Sequence, residues 1–592
     1  MRLMQTAIAA ACGVLVLLSP GRQAYARPAQ PNVIIVLTDD QGYGDLSCHG
    51  NPVLKTPHLD RLRDQSIRFT DFHVAPMCTP TRSQLLTGRD ALDNGAMNVS
   101  SGRTMIRRGI PTLANMFADS GYRTGLFGKW HLGDVYPYRP QDRGFHKAIW
   151  FPSSHISSAP DYWNNDYFDP HFRLEDGTIR PFKGFCTDIQ FGEAMKWMEQ
   201  QTKAGEPFFA YIALNAAHGP LYAPESYRAP YRELGRQLAG FFGMIANIDD
   251  NMDRLETMLQ KTGLRDNTIL VFMTDNGGTA GVNTFNAGMK GKKIELWEGG
   301  HRVPCFIRWP AGELGEPRDI DELIHVQDIL PTLEELCSLE SSPDPKRDGT
   351  SLAGLLRGQQ SRLPDRMLVV QFSRMDRQVP RSGDAAVLWK RWRLLPGRPG
   401  WELYDLSTDP GQERDVADQH PDVVKAMSEH YEQWWAEVEP TMNLLSNLTI
   451  GAEAEPETLL SAADWQDVFL DQQRQVRGGL GRSGPWGLKV AEDGQYVFEL
   501  RRWPREADHP LSAGLPLHKQ VDGELPPGKA LPIAKARLRV GTSEQTQDVK
   551  PEDKHVRFSV PLKKGETRAQ TWFYDVDGQE RCGAYYVYVH RE

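Results

Sequence analysis

Cys78-Thr79-Pro80-Thr81-Arg82 concentrates reactive chemistry in a chain of 592 residues. Pro80 suits a first helical turn, Leu85 and Leu86 give helical burial, and Gly88 is a stop signal. This pattern predicts a helix with Cys78 at its N-terminus, where the positive dipole end favours negative charge on a nucleophile. Arg82, four residues on, shares the face of Cys78 one turn later. A lone cysteine is equally at home as a small buried core residue, so the reactive reading needs neighbours.

Two apolar runs supply them. Asn32-Val33-Ile34-Ile35-Val36-Leu37 ends in Thr38-Asp39-Asp40, and Thr268-Ile269-Leu270-Val271-Phe272-Met273 ends in Thr274-Asp275-Asn276. Continuous apolar runs of this kind predict strands buried on both faces of a parallel sheet. Ligands gather outside the carboxyl ends of such strands. Gathering Asp39, Asp40, Asp275 and Asn276 there crowds three carboxylates, which demands a compensating cation. An all-oxygen donor set suits Ca²⁺ or Mg²⁺ rather than zinc or copper. Either acidic pair alone reads as turn residues; the matched pair points to a metal site.

Cys78-Thr79-Pro80-Thr81-Arg82 resembles the Cys-x-Pro-x-Arg signature of type I sulfatases, members of the alkaline-phosphatase-like superfamily, and the resemblance extends from Pro31 to about Pro440. It implies that Cys78 is oxidised to formylglycine by a formylglycine-generating or sulfatase-maturating enzyme, and that the aldehyde hydrate is the nucleophile. Asp39, Asp40, Asp275 and Asn276 then match the family's calcium ligands, joined by residue 78, with Mg²⁺ the second choice. Gly128-Lys129-Trp130-His131-Leu132-Gly133 matches the family's Gly-Lys-Trp-His segment, and residues 402–411 resemble the subdomain that ends sulfatase catalytic units. The chain departs from the family at two places. His218 follows Ala217 where proline is usual, and Gly291-Lys292-Lys293 stands for Gly-Gly-Lys ahead of Trp297-Glu298-Gly299-Gly300. Counting back from Trp297 selects Lys293 as the sulfate-binding lysine, with Lys290 and Lys292 close by. Ser154, in Pro152-Ser153-Ser154-His155, resembles a sulfate-contacting serine.

A sulfate monoester is an anion that an anionic nucleophile must approach, so cations around its peripheral oxygens stabilise the transition state. Lys129, Lys293 and the metal fit that task. Arg82 would hold the hydrate of residue 78, and Asp275 would take its proton on attack. A sugar alcohol leaves poorly without a general acid, for which His218 and Lys293 are both candidates. Collapse of the sulfo-enzyme to aldehyde and free sulfate would use His131 as base. Singly, each of these basic residues also reads as a surface charge or a satisfied core histidine.

The elements that must position them form an α/β pattern. A third apolar run at 207–214 closes on Asn215-Ala216-Ala217-His218, and helical patterns at 188–201 and 237–261 lie between the strands. The expected fold is an alkaline-phosphatase-like, mostly parallel central sheet flanked by helices, then a small α+β C-terminal subdomain and an appended β-sandwich. The boundaries read as a signal peptide at 1–26, a catalytic domain at 27–365, the subdomain at 366–443 and the β-sandwich at 444–592. In the subdomain, strand-like pieces at 386–395 and 401–406 precede a helix at 421–438. The last domain is aromatic, with Trp465, Trp486, Trp503, Trp572, Tyr585, Tyr586 and Tyr588. Those rings suit sugar stacking or, more simply, core packing in strands. The domain could equally wall the active-site cleft.

Composition narrows the function classes. With 68 Lys+Arg against 77 Asp+Glu, the net charge of −9 and the lack of a basic stripe exclude nucleic acid as a partner. Met1-Arg2, the apolar run 7–18 and Ala24-Tyr25-Ala26 form a secretory signal pattern, which predicts a periplasmic or secreted protein with no membrane span in the mature chain. Six cysteines follow it without a Cys-x-x-Cys pair, so a dense disulfide framework and a zinc ribbon are excluded; an oxidising compartment leaves room for one or two disulfides. The expected activity is hydrolysis of sulfate monoesters of sulfated small molecules or polysaccharides. The rivals are a phosphonate or phosphate ester hydrolase of the same superfamily, a catalytically silent carbohydrate-binding protein, and a thiol hydrolase with a Cys/His pair.

Overall fold

The computed structural model describes residues 30–340, 344, 346–372, 379–397 and 400–592; the expected signal segment at 1–26 lies outside them. Asn32–Thr38 is a strand with all seven residues buried. Val33, Ile35 and Leu37 enter the core on one side of the sheet, and Ile34 and Val36 enter the core on the other. Fully burying such side chains contributes about 1.5–3 kcal/mol each, which is why the run alternates between two cores rather than between core and water.

Asn32–Thr38 is the middle of a ten-stranded sheet. Thr268–Thr274 lies parallel on one side and Phe208–Ala213 on the other. Arg123–Lys129 and then Lys147–Phe151 continue the parallel block. Antiparallel pairings begin beyond it, with Cys305–Arg308 on one flank and His171–Leu174 on the other. The expected mostly parallel sheet is therefore a large mixed sheet whose centre is parallel. Register matters for the site: Thr38 pairs with Thr274, and Ala213 pairs with both Leu37 and Gly128. Four strands thus release their chains at one level, and Lys147–Phe151 joins them one strand further out, with Phe151 paired to Lys129. Gly128 sits at φ 121°, and a Cβ there would lie 2.1 Å from the Ala213 carbonyl oxygen, so only glycine permits this close pairing.

Helices cover both faces. Cys186–Ala204 and Arg236–Lys261 pack through Ala194, Met198, Phe242, Ile245 and Leu255 into one core. Cys78–Thr87 packs Leu85 and Leu86 into the other. Its start at Cys78 and its stop at Gly88, with φ 64°, match the sequence pattern.

The following unit is a four-stranded antiparallel sheet (Leu368–Gln371, Ala385–Trp389, Trp392–Gly397, Gly400–Asp405) covered by Pro421–Val438. The single strand expected at 386–395 is a hairpin turning at Lys390 and Arg391, with Lys390 at φ 51°. Two long cations carry no turn signature, and for this reason the hairpin is invisible in sequence. From Leu448 to Arg591 two further sheets pack face to face, antiparallel apart from the Leu448–Ile450 pairing with Trp486–Val490. Their core holds Trp465, Trp486, Trp503, Tyr585 and Tyr586. The sugar-stacking surface is thus not built from these rings, which are interior. That core also includes Met105, Val135, Tyr138, Ala159 and Trp163, so the β domain shares its interior with the α/β unit. Cys48, Cys78, Cys186, Cys305, Cys337 and Cys582 are all unpaired. Among the described residues no helix is long and apolar enough to cross a membrane.

Candidate active site

The carboxyl ends of three strands of the parallel block deliver Asp275 and Asn276, Asp39 and Asp40, and Lys129 with His131 to one buried place. The helix start supplies Cys78 and Arg82. Arg82 donates through Nε (3.1 Å) and Nη2 (2.8 Å) to Asp275 Oδ2 and through Nη1 to the Lys129 carbonyl (3.3 Å); its Nη2 lies 3.6 Å from Asp39. Its donors fix the strand-end carboxylates. Lys129 Nζ donates to Asp39 Oδ2 and Lys293 Nζ to Asp40 Oδ1, each at 2.5 Å. Asn276 donates to Asp40 Oδ1 at 2.9 Å. Lys290 instead lies over the Trp297 ring and donates to the Gln412 carbonyl, and Lys292 is exposed.

Burial and mutual charge set the electrostatics. Burial followed by the adjacent Asp39 charge pushes the Asp275 carboxyl up. Burial alone would raise Asp40 too, but Lys293 and His218 hold it below the usual carboxylate range. Lys293, although burial opposes its charge, is held up by Asp40. Two acceptors in this knot, Asp39 Oδ1 and Asn276 Oδ1, are buried with no hydrogen-bond partner. Such acceptors carry a desolvation cost that a cation removes, and oxygen donors suit a hard divalent ion. One ligand atom each of Asp39, Asp40 and His218 also lies within 4.8 Å of the others. The residues fit a metal ion.

Cys78 is buried, and burial pushes its thiol up; Lys129 and Lys293 oppose that rise without reversing it. Burial therefore disfavours a thiolate at this helix start. His131, at φ 59°, places Nε2 3.0 Å from the Val99 carbonyl. A carbonyl only accepts, so Nε2 donates and Nδ1, buried and unpartnered, carries the lone pair. Burial, then the Lys129 charge, hold its pKa well below the usual histidine value.

Phe151 leads into Ser153, Ser154 and His155. Ser154 Oγ donates to Asp471 Oδ1 at 2.6 Å and meets His155 Nδ1 at 2.6 Å. Its single hydrogen goes to the carboxylate, so His155 Nδ1 donates. The His155 ring stacks on His218 at 5.1 Å, and His218 Nε2 is 3.9 Å from Asp40 Oδ2. Asp471, 317 residues from Ser154, brings the β domain to this wall. Nothing near Asp471 in the sequence signals that role, and His155 is an isolated histidine in sequence.

A family model described as Sulfatase matches residues 31–338. The N-acetylgalactosamine-6-sulfatase of Mus musculus is 31% identical over 427 residues, covering 67% of this chain and 79% of that protein. The fold resembles Ps i-CgsB in complex with k-i-k-neocarrahexaose, at TM-score 0.62 and 24% identity over 68% of this chain and 92% of that one. It also resembles the phosphonate monoester hydrolase of Agrobacterium radiobacter, at TM-score 0.52 and 21% identity over 69% of this chain and 96% of that one. The family match spans the parallel strands and the helix from Asp39 to Lys293, more than half of the chain. The chain therefore belongs to the sulfatase family and is a sulfuric ester hydrolase.

Proposed function

We propose that this chain hydrolyses sulfate monoesters of carbohydrates or aryl alcohols at residue 78, oxidised from cysteine to formylglycine. The observation that carries the reading is the position of Cys78. It is buried at a helix start, with Lys129, Lys293, Asp39 and Asp275 as its charged neighbours. As a thiol it is poorly ionised there; as an aldehyde hydrate it would offer one hydroxyl to sulfur and a second to release sulfate. Asp39, Asp40, Asp275 and Asn276 would hold a calcium ion, which polarises sulfate oxygens and offsets charge.

The chain's own residues have separable tasks. Arg82 keeps Asp275 Oδ2 fixed, and Asp275, a charged neighbour of residue 78, would take the proton of the hydrate on attack. Lys129 and Lys293 place two ammonium groups beside residue 78, where they neutralise an incoming sulfate. His131 holds an unprotonated Nδ1 for the release step. His218, which lines a cavity, or Lys293 would protonate the leaving oxygen. Asp39, Asp275, Lys129 and His131 are buried around residue 78, while His218 and Lys293 are half-buried on the open side.

The unit boundaries 27–365, 366–443 and 444–592, and export to the periplasm or beyond after loss of 1–26, belong to the same proposal, as does a maturating enzyme acting on Cys78. Mass spectrometry of the peptide carrying residue 78, with turnover of matched sulfate and phosphate esters, tests it. A formylglycine peptide and preference for sulfate are expected. An intact cysteine in active protein, or preference for phosphate or phosphonate esters, would overturn it.

A further inference from the structure

We propose that the C-terminal β domain builds a subsite for the sugar unit adjoining the sulfated one, and that Arg474 reads a negative charge on that unit. The inference rests on the carbohydrate sulfatase reading above. A cavity of about 330 Å³ opens beside His155 and His218, within the usual range of small-ligand cavities, about 300–1,000 Å³. One wall is Pro220, Leu221 and Tyr222 of the α/β unit; the other is Gln472, Arg474 and Gln520 of the β domain.

Both lips are held rigidly. Gln473 donates from its backbone to the Ser157 carbonyl (3.1 Å) and from Nε2 to the Ser158, Asp161 and Tyr162 carbonyls (3.2, 3.3 and 3.1 Å). Ala159 donates to the Asp471 carbonyl at 2.7 Å. Opposite, Asp522 is clasped by Arg228 (2.5 Å) and Arg236 (3.0 Å), and Tyr222 donates to Gln520 at 3.2 Å. The cavity is therefore preformed, which lowers the ordering cost of a bound ligand.

Its chemistry suits a charged sugar. Gln472 presents an amide, Tyr222 an aromatic edge, and Arg474 a guanidinium. Arg474 is exposed, donates to the Glu524 carbonyl at 2.8 Å, and among the described residues has no carboxylate within 4 Å. A planar guanidinium in that state is suited to a carboxylate or a second sulfate. The adjoining His218 ties this subsite to the sulfate site.

The test is Arg474→Ala beside Arg474→Lys, each assayed for kcat/KM on a small aryl sulfate, a neutral sulfated disaccharide, and sulfated disaccharides whose second unit carries a carboxylate or another sulfate. A charge-assisted contact of about 1.5–3 kcal/mol predicts a loss of about 10–150-fold for Arg474→Ala on the charged disaccharides. The loss should fall mainly on KM, with partial rescue by Arg474→Lys, and the aryl sulfate unchanged. The two charged disaccharides show which anion is preferred. Equal kinetics for wild type and variant on every substrate, or an equal fall on all, overturns the subsite. Failure of the wild type on every sulfate ester overturns the functional reading itself.

Discussion

Ser154 and Asp471 meet at 2.6 Å, joining the loop after Lys147–Phe151 to the β domain across 317 residues of sequence. The contact sets His155 against His218, so the β domain takes part in ordering the wall of the active site. Burial pushes the Asp471 carboxyl up, while Ser154 and His218 favour its charged form.

Asp471→Ala leaves the hydroxyls of Ser153 and Ser154 without their shared acceptor. Bonds to a carboxylate of this kind are worth about 1.5–3 kcal/mol. Denaturant unfolding should show a loss of that order, and Asp471→Asn, which keeps an acceptor oxygen, should lose less.

His131→Gln should lower kcat by about 10²–10⁴-fold, the usual contribution of a positioned base. Because the wild-type pKa is held well below the usual value, the neutral imidazole persists as pH falls past 6.5. The acid limb of kcat due to this residue should therefore lie well below 6.5, as a pH–rate profile would show.

Calcium held as proposed by Asp39, Asp40, Asp275 and Asn276 would stabilise the folded chain, since the unfolded chain does not assemble these strand ends. At a hundredfold excess over Kd the gain is about 2.7 kcal/mol. Thermal unfolding with chelator and then calcium should show the shift; Asn276→Ala should reduce it.

His301 is held to a pKa of about 3 by burial and then by neighbouring His73. Its Nε2 lies 3.0 Å from the Leu296 carbonyl and its Nδ1 2.9 Å from His73 Nδ1. The unfolded chain takes up a proton near 6.5 and the folded chain does not. Stability from neutral His301 is therefore present above 6.5 and lost as pH falls toward 3. His301→Asn should flatten the unfolding free energy across that window.

Ending the chain at Asn447 should destabilise the α/β unit as well as trim it. The cut removes the partners of Met105, Val135, Tyr138, Ala159 and Trp163. Exposing large apolar side chains costs about 1.5–3 kcal/mol each, so a lower Tm and binding of a hydrophobic dye are expected. An unchanged Tm would show that the shared core contributes nothing.

Sequence alone determined the two acidic strand ends, the helix that starts at Cys78 and stops at Gly88, and an alternation of strand and helix, but not the strands Arg123–Lys129 and Lys147–Phe151. These follow from local periodicity and local backbone preference, which neighbouring residues dictate. Which strands lie side by side was decided by tertiary structure: the register pairing Thr38 with Thr274 arises from two cores packing at once. The same holds for the Lys390 turn, the tautomer of His131, and the arrival of Asp471 and Arg474 beside His218. Each depends on burial and on partners far along the chain, and no local pattern encodes such a meeting.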